Sequence, residues 1–133
     1  MKKRYLSWQD VEEAVERLAA NITLSEKQIT SIIGLPRGGL VPAVMLSHKL
    51  NIPFSTEDEE VEEGYTLVVD DICDSGITLE EFKDYESVLT ATLHYKSSAC
   101  TEPDFWWRLA PENEWIVYPW ESKDSETIQD YKK

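Results

Sequence analysis

Leu67-Val68-Val69-Asp70-Asp71-Ile72-Cys73-Asp74-Ser75-Gly76-Ile77-Thr78 decides how the rest of the chain is read. Leu67, Val68 and Val69 make a short apolar run of the kind found in buried strands, and the run stops at two adjacent carboxylates. Small and hydrogen-bonding residues follow before Thr78-Leu79-Glu80-Glu81-Phe82 opens a helical pattern, so the order is strand, tight loop, helix start. Backbone N–H groups and the positive end of a helix dipole converge in such a loop. Gly76 permits the turn, and the Ser75 and Thr78 hydroxyls add donors, which together make a cradle for phosphate. Asp70 and Asp71 would repel a bare phosphate. Carboxylates accept from vicinal hydroxyls and hold Mg2+, however, so the pair fits a sugar phosphate accompanied by metal. The plainer alternative is an Asp-rich loop that only caps a helix.

Two acidic residues after a hydrophobic strand, followed by Asp-Ser-Gly-x-Thr, resemble the phosphoribosyl pyrophosphate (PRPP) motif of type I phosphoribosyltransferases. The resemblance implies that Asp70 and Asp71 hold the ribose hydroxyls and Mg2+, and that the loop of Asp74, Ser75, Gly76, Ile77 and Thr78 grips the 5′-phosphate. It also implies that Asp74 is the acid/base beside the purine ring.

Upstream, residues 29–35 (ITSIIGL) read as a buried strand that runs into Pro36-Arg37-Gly38-Gly39, and a helix starts near Val41-Pro42, where a first turn accepts proline. Two glycines let backbone approach a ligand, and Arg37 can meet phosphate oxygens in a bidentate fork. Alone, Arg-Gly-Gly is also an ordinary glycine turn with a surface arginine. Leu35-Pro36-Arg37-Gly38-Gly39-Leu40-Val41-Pro42-Ala43 is similar to the pyrophosphate loop of purine-salvage members of the family, which implies that Arg37, Gly38 and Gly39 bind PRPP. The helix continues to Leu50 with Asn51 as its cap, and Ile52-Pro53-Phe54-Ser55 begins a strand that proline makes short or places at an edge. His48 on this helix carries no functional assignment. Nearer the start, Ser7 and Asp10 have capping-box spacing, and Trp8, Val11, Val15, Leu18 and Ile22 form the stripe of a core-packing helix.

Thr56-Glu57-Asp58-Glu59-Glu60-Val61-Glu62-Glu63-Gly64 departs from the family pattern. Family members usually carry a long mobile loop here that closes over the site; this connection is short and acidic. Such an acidic run is most simply a solvated turn. Shortening the loop would slow transfer or admit water, which leaves room for an alternative, a PRPP-binding regulatory or sensor protein with little turnover.

Downstream, a helix of about two turns is expected, then a strand over Ser87-Val88-Leu89-Thr90-Ala91-Thr92-Leu93-His94-Tyr95, then Lys96. Alternation of strand and helix argues for an α/β fold. Its centre is a mostly parallel twisted sheet flanked by helices, with the site at the carboxyl ends of the strands. Arg37, Asp70, Asp71, Asp74 and Lys96 all follow such ends. Phe105-Trp106-Trp107-Arg108 and Trp115-Ile116-Val117-Tyr118 read as further short strands. Asp104-Phe105 and Trp115-Ile116-Val117-Tyr118-Pro119-Trp120-Glu121 resemble the base-binding segment of xanthine-guanine phosphoribosyltransferases. By that resemblance Trp115 stacks on the purine, Ile116 offers backbone groups to its edge, Glu121 belongs to the base site, and Lys96 donates to a six-position oxygen. Trp106, Trp107 and Trp120 serve equally well as core or oligomer packing.

The 133 residues are of single-domain length, with a core over about 7–100 and a reduced hood over about 101–133, whose polar end from 122 onward is a docked short helix or a frayed tail. An apolar content of 41% is that of a globular chain, and no run is long enough to span a membrane. The net charge of −13 argues against nucleic acid and requires that any polyanion be held by local donors. Cys73 and Cys100 have neither disulfide-framework nor zinc spacing. The expectation is a cytoplasmic, Mg2+-dependent purine-salvage transferase that moves phosphoribose from PRPP to a 6-oxopurine. The resemblance implies a homo-oligomer, dimer or tetramer. A same-fold enzyme acting on another base is the remaining rival, disfavoured by Lys96 and Trp115.

Overall fold

The computed structural model describes residues 2–55 and 63–122. Its elements are β1 (Lys2–Tyr5), α1 (Trp8–Leu24), β2 (Ile29–Gly34), α2 (Leu40–Leu50), β3 (Phe54–Ser55), β4 (Tyr65–Cys73), α3 (Ile77–Glu80), β5 (Val88–Tyr95), β6 (Phe105–Leu109) and β7 (Glu114–Val117). Five strands form one sheet in the order β3-β2-β4-β5-β6, every neighbouring pair parallel. The apolar run at Leu67 lies on the central strand β4 and is fully buried, as a strand covered on both faces must be.

Helices α1 and α2 pack together on one face. Ser7 starts α1 with a reciprocal capping box: its hydroxyl accepts from Asp10 N at 3.1 Å, and the Asp10 carboxylate accepts from Ser7 N at 3.0 Å. Val11, Val15, Leu18 and Ile22 are buried as the stripe requires, joined by Ala14 and Ala19. Each large apolar side chain contributes roughly 1.5–3 kcal/mol on burial, enough to hold the helix on the sheet. Trp8 is the exception. It stands 51% exposed at the first helical position and meets Trp120, ring centroids 6.0 Å apart, instead of entering the core.

The opposite face is covered differently from expectation. The helix after the PRPP motif is a single turn, not two, because only Leu79 of it is buried and no apolar stripe continues through residues 83–86, all exposed. The connection from β5 to β6 contains no helix and runs back over this face. Cys100 Sγ lies 3.3 Å from the Glu80 carboxylate, Lys83 lies 3.8 Å from Asp104, and the Asp104 carboxylate accepts from Thr90 N at 2.8 Å. The central strand also extends further than the apolar run: β4 continues through Asp70 and Asp71 to Cys73 because β5 keeps pairing with it. β3 is the expected short edge strand, and Asn51 closes α2 in the left-handed region at φ 55°. The acidic connection falls mostly at 56–62 and the polar end at 123–133, outside the described residues.

A second, two-stranded parallel sheet pairs β1 with β7, a pairing the sequence patterns do not announce. Arg4 clasps Glu114 through two bonds of 2.7 and 2.9 Å, which holds the Glu114 carboxyl below its ordinary range. The chain beyond β7 docks on the main sheet through Tyr118, which is 1% exposed and stacked on Trp120 with centroids 4.9 Å and planes 6° apart. Its hydroxyl lies 2.8 Å from His94 Nδ1 and donates to the Asp71 carbonyl at 3.0 Å. Burial lowers His94 from 6.5 to about 4; Asp71 and Asp10 act against this shift, and Arg108 and Arg4 with it.

The folded protein therefore keeps His94 neutral where the unfolded chain protonates it. Stability from this residue is full above its unfolded value and falls as pH drops from 6.5 towards 4. Between about pH 7 and pH 5 the loss is about 2 kcal/mol. Urea unfolding of wild type and His94→Asn at both pH values checks this: the variant should lose a correspondingly smaller share of its stability, and equal losses would contradict the assignment.

Candidate active site

β2 and β4 are neighbours whose connections leave in opposite directions, β2 through α2 to β3 and β4 through α3 to β5. A crevice opens at the carboxyl ends of two such strands, and both candidate loops follow these ends. They are packed on each other. A Cβ on Gly38 would lie 2.1 Å from Asp71 Oδ2, and one on Gly39 would lie 2.2 Å from the Val69 carbonyl and 2.9 Å from Asp70 Cα. A side chain at Gly39 would collide with backbone, and one at Gly38 would force either the loop or the Asp71 carboxylate to move. The Leu35 amide donates to the Val69 carbonyl at 2.9 Å and Gly39 N to the Leu35 carbonyl at 2.8 Å, which closes the turn. Arg37 is exposed at the rim, after a cis Pro36-Arg37 peptide.

Asp70 and Asp71 are both 3% exposed. One oxygen of each accepts from the following amide, Asp70 Oδ1 from Asp71 N at 2.9 Å and Asp71 Oδ1 from Ile72 N at 2.8 Å. Beyond them, Ser75 Oγ accepts from Ile77 N at 3.2 Å, and Gly76 adopts φ 85° as it opens α3, with half-buried Thr78 in that turn and Ile77 exposed. The loop is braced from behind. Lys96 N donates to Cys73 O at 3.0 Å, Cys100 N to Ser75 O at 2.8 Å, and Cys73 Sγ approaches Thr101 O at 3.4 Å. A Cβ on Gly76 would sit 3.0 Å from the Cys100 and Thr101 amides. Since α3 is one turn long, the donors available to an anion are the loop amides and hydroxyls, and the macrodipole contributes little.

The Lys96 ammonium lies 3.3 Å from Asp74 Oδ1, with the two side chains only 6% and 15% exposed. The two residues assigned to the base thus meet each other directly. In the hood, Ile116 is buried against the core, and Trp115 is half-buried with its indole N–H buried and lacking a hydrogen-bond partner among the described residues. Glu121 turns back to accept from Tyr118 N at 3.1 Å, and it lines an open cleft with Tyr5, Leu6, Val117, Tyr118 and Pro119. Burial, then Asp71, Asp70, Glu121 and Asp74, hold the Tyr118 phenol well above its ordinary pKa, so it stays a donor.

No protein-family model matches the chain. The fold does match solved structures: the purine phosphoribosyltransferase of Pyrococcus horikoshii superposes with a TM-score of 0.80 at 31% identity, covering 97% of this chain and 99% of that one. The chain belongs to the purine phosphoribosyltransferases. The xanthine-guanine phosphoribosyltransferase of Idiomarina loihiensis is 28% identical over 139 residues, 88% of this enzyme and 86% of that protein. The Helicobacter pylori xanthine-guanine-hypoxanthine phosphoribosyltransferase, at 22% identity and a TM-score of 0.76 over 90% of this chain and 93% of that one, shares the type I fold.

Arg37, Gly38, Gly39 and the residues from Asp70 to Thr78 therefore gather with Lys96 at one end of the enzyme's sheet. Missing from the sequence reading are the brace of Cys100 and Thr101, the strand β1 and the buried Tyr118. A polar loop and one aromatic among several carry no local signal of what they will touch. Asp104, part of the resemblance in the hood, serves Thr90 in the structure.

The fit of Gly38 against Asp71 leads to a direct test. Gly38→Ala must displace either the loop or the carboxylate, and a displacement near 1 Å should cost about 100-fold in kcat/KM while circular dichroism stays unchanged. Activity within a few fold of wild type would mean that the loop is not held against Asp71.

Proposed function

We propose that this enzyme transfers the 5-phosphoribosyl group of PRPP to a 6-oxopurine, giving a nucleoside monophosphate and pyrophosphate in purine salvage. The observation that carries this reading is the packing of the Gly38-Gly39 turn on the buried Asp70–Asp71 pair at the sheet's switch point. That arrangement sets an arginine-bearing turn beside two hydroxyl acceptors, as a substrate with pyrophosphate on C1 of a ribose requires. Loop amides from Ser75 to Thr78 hold the 5′-phosphate, Asp70 and Asp71 accept the ribose hydroxyls, and Arg37 neutralises the departing pyrophosphate.

Lys96 donates to the six-position oxygen of the purine and Asp74 takes the proton that the ring loses as the new bond forms. Their 3.3 Å separation keeps the charges balanced until a base arrives. Trp115 supplies a stacking face, while Ile116 and Glu121 border the base. Among the described residues no three His, Cys, Asp or Glu side chains gather on one point. Two adjacent carboxylates nevertheless fit Mg2+, which takes one or two protein carboxylates and completes its shell with substrate phosphates and water. Asp70 and Asp71 would hold it, and its chemistry would be to draw charge onto the pyrophosphate. We assign the reaction to the cytoplasm and to an assembly of two or four copies. The exposed Leu40 and Val44, one turn apart on α2, offer apolar surface for such contact.

The purified protein with PRPP, Mg2+ and, separately, guanine, xanthine, hypoxanthine and adenine should form nucleotide with one or more oxopurines and none with adenine. Turnover of adenine would overturn the role of Lys96. Saturable PRPP binding without turnover would favour a regulatory protein. Asp74→Asn should lower kcat by at least about 100-fold and leave PRPP affinity by calorimetry within a few fold; loss of both together would remove Asp74 from the base and assign it to PRPP.

A further inference from the structure

One peptide unit lies between the hood and the carboxylate pair. The carbonyl of the Asp71–Ile72 peptide accepts from Tyr118 Oη at 3.0 Å, and the N–H of the same peptide donates to Asp71 Oδ1 at 2.8 Å. A peptide is planar, so fixing its oxygen fixes the direction of its N–H, and that N–H aims the carboxylate. The phenol has one proton. Because a carbonyl only accepts, that proton goes to Asp71, and the Tyr118 oxygen takes its other bond from His94 at 2.8 Å, which assigns the imidazole proton to Nδ1. The Tyr118 ring is held flat on Trp120, and His94 stands edge-on to Trp107 of β6 at 5.6 Å. On either side of Asp71, β4 is registered with β5 as Asp70 on Thr92 and Ile72 on His94.

We propose that Tyr118 is a positioning residue for phosphoribosyl transfer: through the Asp71–Ile72 peptide it sets the direction of the Asp71 carboxylate. Because Tyr118 follows Trp115 by three residues, docking of the hood and aiming of the carboxylate are one event. The proposal rests on the assignment of Asp71 to the ribose of PRPP.

Tyr118→Phe keeps the ring and its stack and removes both hydrogen bonds. It should raise KM for PRPP about 10-fold and lower kcat, with KM for the purine changed less than about twofold. His94→Asn retains a donor near the position of Nδ1 and should stay within about threefold of wild type in KM for PRPP. Ile22→Val, in the α1 core far from the loops, serves as a control for lost stability; it should lower Tm and leave KM for PRPP unmoved. Wild-type kinetics in Tyr118→Phe, or an equal rise of KM in Ile22→Val, would overturn the positioning role. Failure of the wild type itself to bind PRPP in calorimetry would instead overturn the assignment of Asp71, a result visible before any variant is made.

Discussion

Two consecutive carboxylates on the central strand are almost wholly out of water, and much of the surrounding architecture can be understood as what keeps them there. Desolvating a carboxylate costs several kcal/mol unless donors replace the lost water. Here each takes a backbone amide, Asp70 from Asp71 and Asp71 from Ile72. A strand that ended at Val69 would leave those amides unplaced. Continued pairing with β5 carries the backbone past both acids and keeps them in register. The glycine turn after β2 then closes on them from the other side, at contacts no side chain could share.

That geometry also explains how a protein of net charge −13 can handle a substrate bearing several phosphates. Its long-range field is unfavourable, so attraction has to be local and short. Loop amides carry no net charge and cost no screening. Lys96 is spent on Asp74 inside the site, Arg37 stands at the rim, and the basic strand Lys2-Lys3-Arg4 runs beside the hood. Among the positive groups, Lys96 and Arg37 are the ones placed at the site, and both act at short range.

Much of this was legible in the chain. The loops announced themselves because glycine, hydroxyls and acids recur at fixed offsets from a strand end, and α1 because a capping box and a 3.6-residue period coincide at Ser7, Asp10 and Val11. Legibility failed where a residue's role depends on a distant partner. Trp8 has the spacing of a core residue, yet sits at a helix end facing the hood. The segment after Gly76 has the propensity for two turns but lacks the apolar face to hold the second. Tyr118 reads as one aromatic among several, and only the fold reveals that its hydroxyl meets a backbone oxygen 47 residues away.

The parallel pairing of β1 with β7 joins segments separated by about the whole described chain; Arg4 and Glu114 are 110 positions apart. The entropy of closing a loop grows only slowly with its length, but contacts of that span form late. During synthesis the main sheet can pair before β7 leaves the ribosome, while the bond from Tyr118 to the Asp71 carbonyl has to wait for it. The two strands of that pair are secured unequally: β1 is mostly exposed, whereas three of the four residues of β7 are buried and Ile116 belongs to the core. One pair of strands from opposite ends of the described residues thus joins the segment that carries Tyr118 to the loop that carries Asp71.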